Sequence, residues 1–199
     1  DNPKYGDGGT YFVLRGVYNW LLNQNFPVDE YDLDNDGYID SIWMIYGCPN
    51  YTNSISITSD TFWAFSFVDY EYLELADEDV PVPNTYAWAS FDFMNSGKSA
   101  GIDIDAHTYI HEHGHNMGLE DYYDYDKKHD PLGKIDMQDC NVGDHNAYTK
   151  MAFGWSTPYV VTGECTITIS AAESTGQCIL VTDPNKQYNG NAFSEYLLL

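Results

Sequence analysis

Residues 110–121 read IHEHGHNMGLED, a stretch in which three histidines, two glycines and four carboxylate or amide side chains share twelve positions. On an α-helix, His111 and His115 lie one turn apart on one face, with roughly 6 Å between the bases of their side chains. Imidazoles at that spacing can reach one metal ion, and Glu112 can lean over the open side of that ion. The competing interpretation is a polar helix end in an acidic protein.

The residues after His115 supply a third possible ligand. Two imidazoles leave a zinc ion under-coordinated for a stable catalytic site. Gly118 allows the chain to leave the helix with positive φ, and Asp121, three residues later, can return beneath the ion. The full pattern is H-E-x-x-H-x-x-G-x-x-D, in which the histidines hold zinc and the glutamate takes a proton from zinc-bound water. Five specified positions therefore favour zinc ligation by His111, His115 and Asp121, with Glu112 as general base.

His107 and His113 are the other histidines of the predicted helix. His107 shares the ligand face but lies about 12 Å along the helix axis from His115, which is too far for both to bind one ion. We expect it to pack, or to support the ligands from outside the ligand set. His113 points away from that face and is predicted to be a packing residue.

Composition restricts the partners of the chain. Its 199 residues are 43% hydrophobic and 16% aromatic, which is enough for one well-buried domain. Eight Lys and Arg against 31 Asp and Glu leave a net charge of -23, which repels nucleic acid and anionic membranes and favours cations. No apolar run of about 18 residues is present, so membrane insertion is not expected. The start of the chain lacks the basic and apolar regions of a signal peptide, so a mature segment is predicted. The chain is also expected to be a monomer.

The predicted elements form an α+β mixture. Apolar spacing predicts a helix over 10–26, and apolar or alternating runs predict strands at 41–47, 61–67 and 85–94, the last of them half-buried. Residues 69–83 are predicted to be a surface loop. Further helices are predicted from Asp103 or Asp105 to Met117 and over 145–155, followed by β-strands. We expect one domain, 1–199, with an upper lobe to about residue 118, a lower lobe from about 119, and a truncated strand at the C-terminus.

The segment DLDNDGYID, residues 32–40, predicts a second ion site. Its acidic side chains and glycine copy positions 1, 3, 5, 6 and 9 of a calcium loop, but the twelfth position is Trp43 rather than a bidentate glutamate. Calcium could still be bound with other oxygens, such as a backbone carbonyl, although Asp and Asn also cap turns without any metal. The candidate calcium ligands are Asp32, Asp34, Asp36, Tyr38 and Asp40.

Four cysteines allow three full pairings, and the sequence does not choose among them. Cys165 and Cys178 flank an alternating segment and a glycine-containing turn, so a cross-strand disulfide between them is geometrically reasonable. Free buried cysteines are also common. No CxxC motif occurs, which argues against a zinc site built from cysteines.

Four segments together resemble a known protein family. The segments are DLDNDGYIDSIWMIYG (32–47), IHEHGHNMGLEDYYDYD (110–126), PLGKIDMQD (131–139) and HNAYTKMAFGW (145–155). Their order and the aspartate as third ligand are similar to the metzincin-like bacterial metalloproteases of the immune inhibitor A (M6) family. The resemblance implies a metzincin-like zincin fold, with a twisted mixed sheet, packed helices and an active-site helix, and a smaller C-terminal lobe of helix and β-strands.

The resemblance also marks one departure from the family pattern. The family's methionine turn, which underlies the zinc, usually reads Asp-x-Met. Aligned on Asp136, this places Gln138 where the methionine is expected and Met137 one position early. Either the turn is shifted by one residue or glutamine replaces the methionine.

The motif predicts a zinc endopeptidase acting on protein or peptide substrates. The resemblance implies that it is bacterial and, together with the acidic balance and the even cysteine count, that it is secreted, extracellular or on the cell surface. The substrate is expected to add as a strand to an exposed sheet edge, for which the predicted segment is 86–94. An oxyanion-stabilising tyrosine is not assigned among Tyr122, Tyr123, Tyr125 and Tyr148. Two alternatives stay open. One is a catalytically inactive, protease-like binding module of a larger extracellular protein, and the other is a calcium-stabilised structural domain.

Overall fold

The computed structural model describes residues 8–47, 63–77, 79–101, 103–183, 185 and 195–199. The chain divides into two units, Asp1–Asp121 and Tyr122–Leu199. Both units combine helices with small sheets, so the predicted α+β class is confirmed. Among the described residues, no helix is both long enough and apolar enough to cross a membrane.

The first unit contains a three-stranded sheet with helices packed against it. Its α-helices and strands are α1 (Gly8–Asn23), β1 (Ile42–Tyr46), β2 (Phe65–Val68), β3 (Thr85–Ser90) and α2 (His107–Asn116). Short 3-10 helices occupy Val28–Tyr31, Tyr72–Glu74 and Phe91–Ala100. The strand order is β1-β3-β2, with β1 parallel and β2 antiparallel to β3. Helix α1 overlaps the predicted helix at 10–26, and β1 and β2 overlap the predicted strands at 41–47 and 61–67, of which residues 61 and 62 lie outside the described residues.

Strand β3 is buried on both faces, so the prediction of a half-buried strand is wrong. Tyr86 and Trp88 pack with Leu14 of α1, and the Tyr86 hydroxyl lies 2.8 Å from the hydroxyl of Thr10. Ala89 belongs to a separate buried cluster that Tyr109 of α2 contacts. The alternation in the sequence is therefore aromatic against small, with both sets buried, rather than polar against apolar.

The predicted strand at 85–94 is also too long, and it is not an edge. It ends at Ser90, where the Ser90 hydroxyl accepts a hydrogen bond from the Asp92 N–H as a 3-10 helix begins. Strand β3 pairs with β1 over 86–90 and with β2 over 85–88, so it cannot add a substrate strand where both neighbours are paired. Within the described part of the sheet, β1 and β2 are the outer strands.

The segment 69–83 is not simply a surface loop, because both of its ends are anchored. Asp69 is only 1% exposed and binds the Arg15 guanidinium through two hydrogen bonds of 2.7 and 2.5 Å. Pro81 and Pro83 are fully buried. A buried carboxylate is tolerated here because an arginine fork satisfies it, a long-range pairing that local composition does not reveal.

The second unit contains shorter elements. They are α3 (Met137–Cys140), α4 (Ala147–Ala152), β4 (Tyr159–Val161), α5 (Ala172–Thr175), β5 (Ile179–Val181) and β6 (Leu197–Leu198). Strand β5 lies between β4, to which it is parallel, and β6, to which it is antiparallel. Helix α4 lies within the predicted helix at 145–155.

The alternating segment after Cys165 does not form a strand. Residues 165–171 have no regular structure before α5 begins. Cys165 is exposed and Cys178 is buried, and both are free, so the cross-strand disulfide is absent. Cys178 instead lies 3.5 Å from the Ser156 hydroxyl. Of the two alternatives that the sequence leaves open, the structure has the free cysteines, because a cross-strand disulfide requires two strands and only the one after Cys178 forms. Cys48 lies outside the described residues.

Candidate metal centre

Helix α2 carries the H-E-x-x-H residues and is fixed to the sheet from two sides. The Tyr109 hydroxyl donates to the Ser90 carbonyl oxygen at 2.7 Å, and the Trp43 indole N–H donates to His113 Nδ1 at 3.3 Å. The packing role predicted for His113 is therefore confirmed, with β1 as its partner. His107 binds Asp105 at 2.9 Å, outside the cluster of possible ligands.

The exit of α2 is a glycine turn, as predicted. Gly118 has φ of +94°, and its N–H donates to the His115 carbonyl at 2.9 Å. The Leu119 N–H donates to the Gly114 carbonyl at 2.9 Å, which completes the paired bonding of a Schellman turn. Leu119 is buried and anchors the turn. The chain thus reverses beneath the last turn of the helix, and this reversal brings Asp121 back toward the histidines.

Three donor atoms form a nearly equilateral triangle. His111 Nε2 lies 3.1 Å from His115 Nε2 and 3.1 Å from Asp121 Oδ1, and His115 Nε2 lies 3.2 Å from the same oxygen. Donors 2.0–2.1 Å from a tetrahedral zinc ion would lie about 3.3–3.4 Å from one another. Two imidazoles and one carboxylate in this arrangement could hold zinc with a fourth position open.

The tautomer of His115 is set by the helix exit. Its Nδ1 lies 2.7 Å from the Leu119 carbonyl oxygen, which can only accept, so Nδ1 carries a proton. In the neutral ring, Nε2 then presents its lone pair to the other two donors, as a metal ligand requires. In the metal-free protein, burial lowers the pKa of His115, but hydrogen bonds to Asp121 and Leu119 outweigh burial and raise the pKa to about 9. In the metal-free protein, His115 therefore carries a proton on Nε2 at neutral pH, and a metal ion can bind Nε2 only when that proton leaves.

Glu112 is buried beside this triangle and is 7% exposed. Burial raises the pKa of its carboxyl group to about 7, although His111, His115 and a hydrogen bond from the Ser66 backbone N–H act in the opposite direction. A carboxylate with a pKa near neutrality can both accept and return a proton. In the metal-free protein, Glu112 is therefore a buried carboxyl group beside the three donors that can exchange a proton near neutral pH.

Sequence reasoning missed the contributions of Ser66 and Leu119, because each acts through its backbone. A pattern of side chains does not indicate which backbone N–H or carbonyl group will contact a site residue. Asn116, whose Oδ1 accepts a hydrogen bond from the Ser66 hydroxyl at 2.5 Å, was also missed, yet its spacing could have found it. It lies four residues after Glu112 on the same helix face, where the two side chains can share a neighbour.

The residues of the proposed methionine turn lie in the second unit. Met137 and Gln138 are both buried at the start of α3, where Asp136 accepts a hydrogen bond from the Gln138 N–H at 2.8 Å. The tyrosines considered for oxyanion stabilisation belong to the same unit. The Tyr122 hydroxyl lies 2.8 Å from the Thr149 hydroxyl, and Tyr123 packs against Tyr125.

The acidic loop brings together only part of its predicted ligand set. Asp32, Asp34 and Asp40 each place a carboxylate oxygen within 4.8 Å of the others. Asp36 lies outside that group, and its carboxylate accepts a hydrogen bond from the Tyr38 N–H at 2.9 Å. Gly37 is required at its position, because it has φ of +87° and an added Cβ would lie 2.7 Å from the Asp77 nitrogen.

Comparison of the chain with known protein families, characterised proteins and solved structures finds no match. The geometry of the site and the sequence pattern are therefore the grounds for assigning a function.

Proposed function

We propose that this chain is a secreted bacterial zinc endopeptidase with a metzincin-like fold, related to the immune inhibitor A family. The observation that carries the proposal is the triangle of His111 Nε2, His115 Nε2 and Asp121 Oδ1, with sides of 3.1–3.2 Å, beside the buried carboxyl group of Glu112. Helix α2 carries His111, Glu112 and His115, and the turn at Gly118 brings Asp121 back to them. The family resemblance supports the same assignment.

Glu112 acts as the proton carrier in the proposed reaction. Its carboxylate accepts a proton from the attacking water and returns it to the nitrogen of the leaving amine. A bound zinc ion would lower the pKa of that water and polarise the scissile carbonyl. The Ser66 N–H holds one side of the carboxylate, and the burial of Glu112 places its carboxyl group beside the three donors.

The substrate is proposed to lie along the outer edge of β2. The Ser66 N–H donates to Glu112 rather than to β3, so this edge runs past the general base. A peptide added as a strand would therefore have its backbone beside the Glu112 carboxylate. The sequence predicted the substrate edge at 86–94, which contains most of β3. We place the substrate on β2 instead, because β3 is the central strand of the sheet.

We also propose that the acidic loop binds calcium as a structural ion. Asp32 is buried and its two oxygens accept hydrogen bonds from the Asp36 and Gly37 N–H groups, at 3.1 and 3.0 Å. Asp34 and Asp40 are exposed beside it. A calcium ion would balance three close carboxylates and fix the loop that leads into β1.

The decisive experiment measures zinc content by elemental analysis and casein cleavage in the parent and in Glu112→Gln. Glutamine preserves the shape and an acceptor for the Ser66 N–H but cannot carry the proton. One zinc per chain in both proteins, with cleavage only by the parent, supports the proposal. Zinc in both proteins with no cleavage by either favours the inactive binding module, and absence of zinc from both overturns the metal assignment.

A further inference from the structure

Asn116 connects the end of helix α2 to two strands of the sheet. Its Oδ1 accepts a hydrogen bond from the Ser66 hydroxyl of β2 at 2.5 Å, and its Nδ2 donates to the Ser41 hydroxyl at 3.0 Å. Ser41 directly precedes β1. Strands β1 and β2 lie on opposite sides of β3. The carboxamide of Asn116 therefore connects α2 both to β2 and to the residue that leads into β1. We call the three residues Ser41, Asn116 and Ser66 the amide clamp.

Ser66 makes two different contacts with α2. Its hydroxyl binds Asn116, and its backbone N–H donates to the carboxylate of Glu112, one helical turn earlier. Within the described sheet, β2 has a strand partner only on the side of β3. The distance between β2 and α2 therefore depends on contacts of this kind, and the Ser66 hydroxyl bond is a direct tether between the two elements.

We propose that Asn116 is a positioning residue for Glu112, acting through Ser66. By holding the Ser66 hydroxyl, the amide clamp keeps the Ser66 N–H on one side of the Glu112 carboxylate and leaves the other side free for the proton transfer. A general base must be held in a narrow range of geometry by groups that are themselves fixed. The consequence for catalysis rests on the proposed peptidase function, whereas the hydrogen-bonded geometry does not.

The test uses variants of matched shape. Ser66→Thr keeps the hydroxyl and Ser66→Val replaces it with a methyl group, while Asn116→Leu removes the carboxamide at similar size. We expect Ser66→Val and Asn116→Leu to lower kcat about tenfold, the effect of one lost hydrogen bond, with KM and zinc content little changed. Ser66→Thr should recover most of that loss. The double variant should be no slower than Asn116→Leu, since both changes break the Ser66–Asn116 bond and Asn116→Leu alone already removes the bond to Ser41.

A second readout does not depend on activity. In the zinc-free protein, hydrogen exchange at the Ser66 amide, followed by NMR, should accelerate about tenfold in Asn116→Leu and in Glu112→Ala, because each removes the support for that N–H. Unchanged exchange in Asn116→Leu would overturn the clamp. Equal kcat in the Thr and Val variants, or additive losses in the double variant, would overturn its role in catalysis. A parent without peptidase activity refutes the proposed function, and the exchange measurement then still tests the clamp.

Discussion

The Nδ1 of His115 lies 2.7 Å from the carbonyl oxygen of Leu119. This bond ties the orientation of a candidate ligand to the glycine turn that follows it. The turn also carries the chain to Asp121, so one local structure both sets the tautomer of the second histidine and delivers the third donor. The affinity of the proposed metal site should consequently be sensitive to changes in the turn that touch none of the three donors.

Gly118→Ala tests this dependence. With φ of +94°, an alanine is strained, and since its Cβ would meet nothing within 4 Å the cost is confined to the backbone. We expect a loss of about 1–2 kcal/mol in the free energy of unfolding and a weaker affinity for zinc. Gly16→Ala is the matched control, because Gly16 is exposed within α1 and also has open space around it. That variant should gain about 0.5–1 kcal/mol. Urea unfolding that moved both variants in one direction would contradict this account.

Asp121→Ala should weaken zinc binding by at least about 100-fold. Loss of groups that merely support a ligand already costs 10- to about 100-fold, and Asp121 is proposed to be a ligand itself. Competition against a chromophoric chelator measures the affinity. His107→Ala is the control on the same helix, since His107 binds Asp105 and lies outside the donor cluster. Comparable affinities for the two variants would remove Asp121 from the ligand set.

Burial of Glu112 should make the zinc-free protein less stable as the pH rises. The pKa is raised from 4.5 to about 7 in the folded protein, so between these values the folded chain keeps a proton that the unfolded chain has lost. The contribution of Glu112 to stability therefore falls across this window, by about 3 kcal/mol in total, and is constant above it, where the raised pKa of His115 continues to lower stability up to about pH 9.

Glu112→Gln removes this contribution, so its stability relative to the parent should increase from pH 4.5 to 7. Urea unfolding of the zinc-free proteins at several pH values measures the difference. Glu120→Gln, at an exposed position, provides the control and should follow the parent. Parallel curves for the parent and Glu112→Gln would show that Glu112 is not desolvated.

Calcium should stabilise the protein through the acidic loop. At a free concentration of 100 times Kd, binding adds about 2.7 kcal/mol to the free energy of unfolding. Asp34→Asn should lose most of this gain, whereas Asp36→Asn should keep it, because only Asp34 lies in the oxygen cluster. Thermal unfolding with calcium, and with magnesium as the comparison ion, measures the effect. A larger loss in Asp36→Asn would restore the ligand set expected from the sequence.

Local patterns allowed much of the first unit to be predicted. Helical spacing places His111 and His115 on one face, and Gly118 ends the helix because few other residues accept positive φ. The apolar run at 41–47 contains β1, since a short stretch of β-formers bounded by turns fits a strand, but the prediction that this strand is buried is wrong: β1 is an outer strand and Ile45 is 50% exposed. Each of these predictions depends on residues that are close together in the sequence.

The errors share a different cause, which is partners distant in sequence. The residues around Tyr86 do not indicate that β3 pairs with β2 as well as with β1, which makes β3 the central strand. Asp69 reads as a surface residue until Arg15, 54 positions away, is placed against it. The amide clamp is of the same kind, because it joins Ser41 and Ser66 to a helix more than forty residues later.

All three proposed zinc donors come from one segment, residues 111–121. Closing so short a loop costs little entropy, so the donors can meet as soon as α2 and its turn form, before the sheet is complete. The unfolded chain should retain some affinity for the ion, and zinc will then stabilise the fold by less than its affinity for the native site implies. Because the donors are close together in the sequence, zinc present during synthesis can also promote formation of α2 early on the folding pathway.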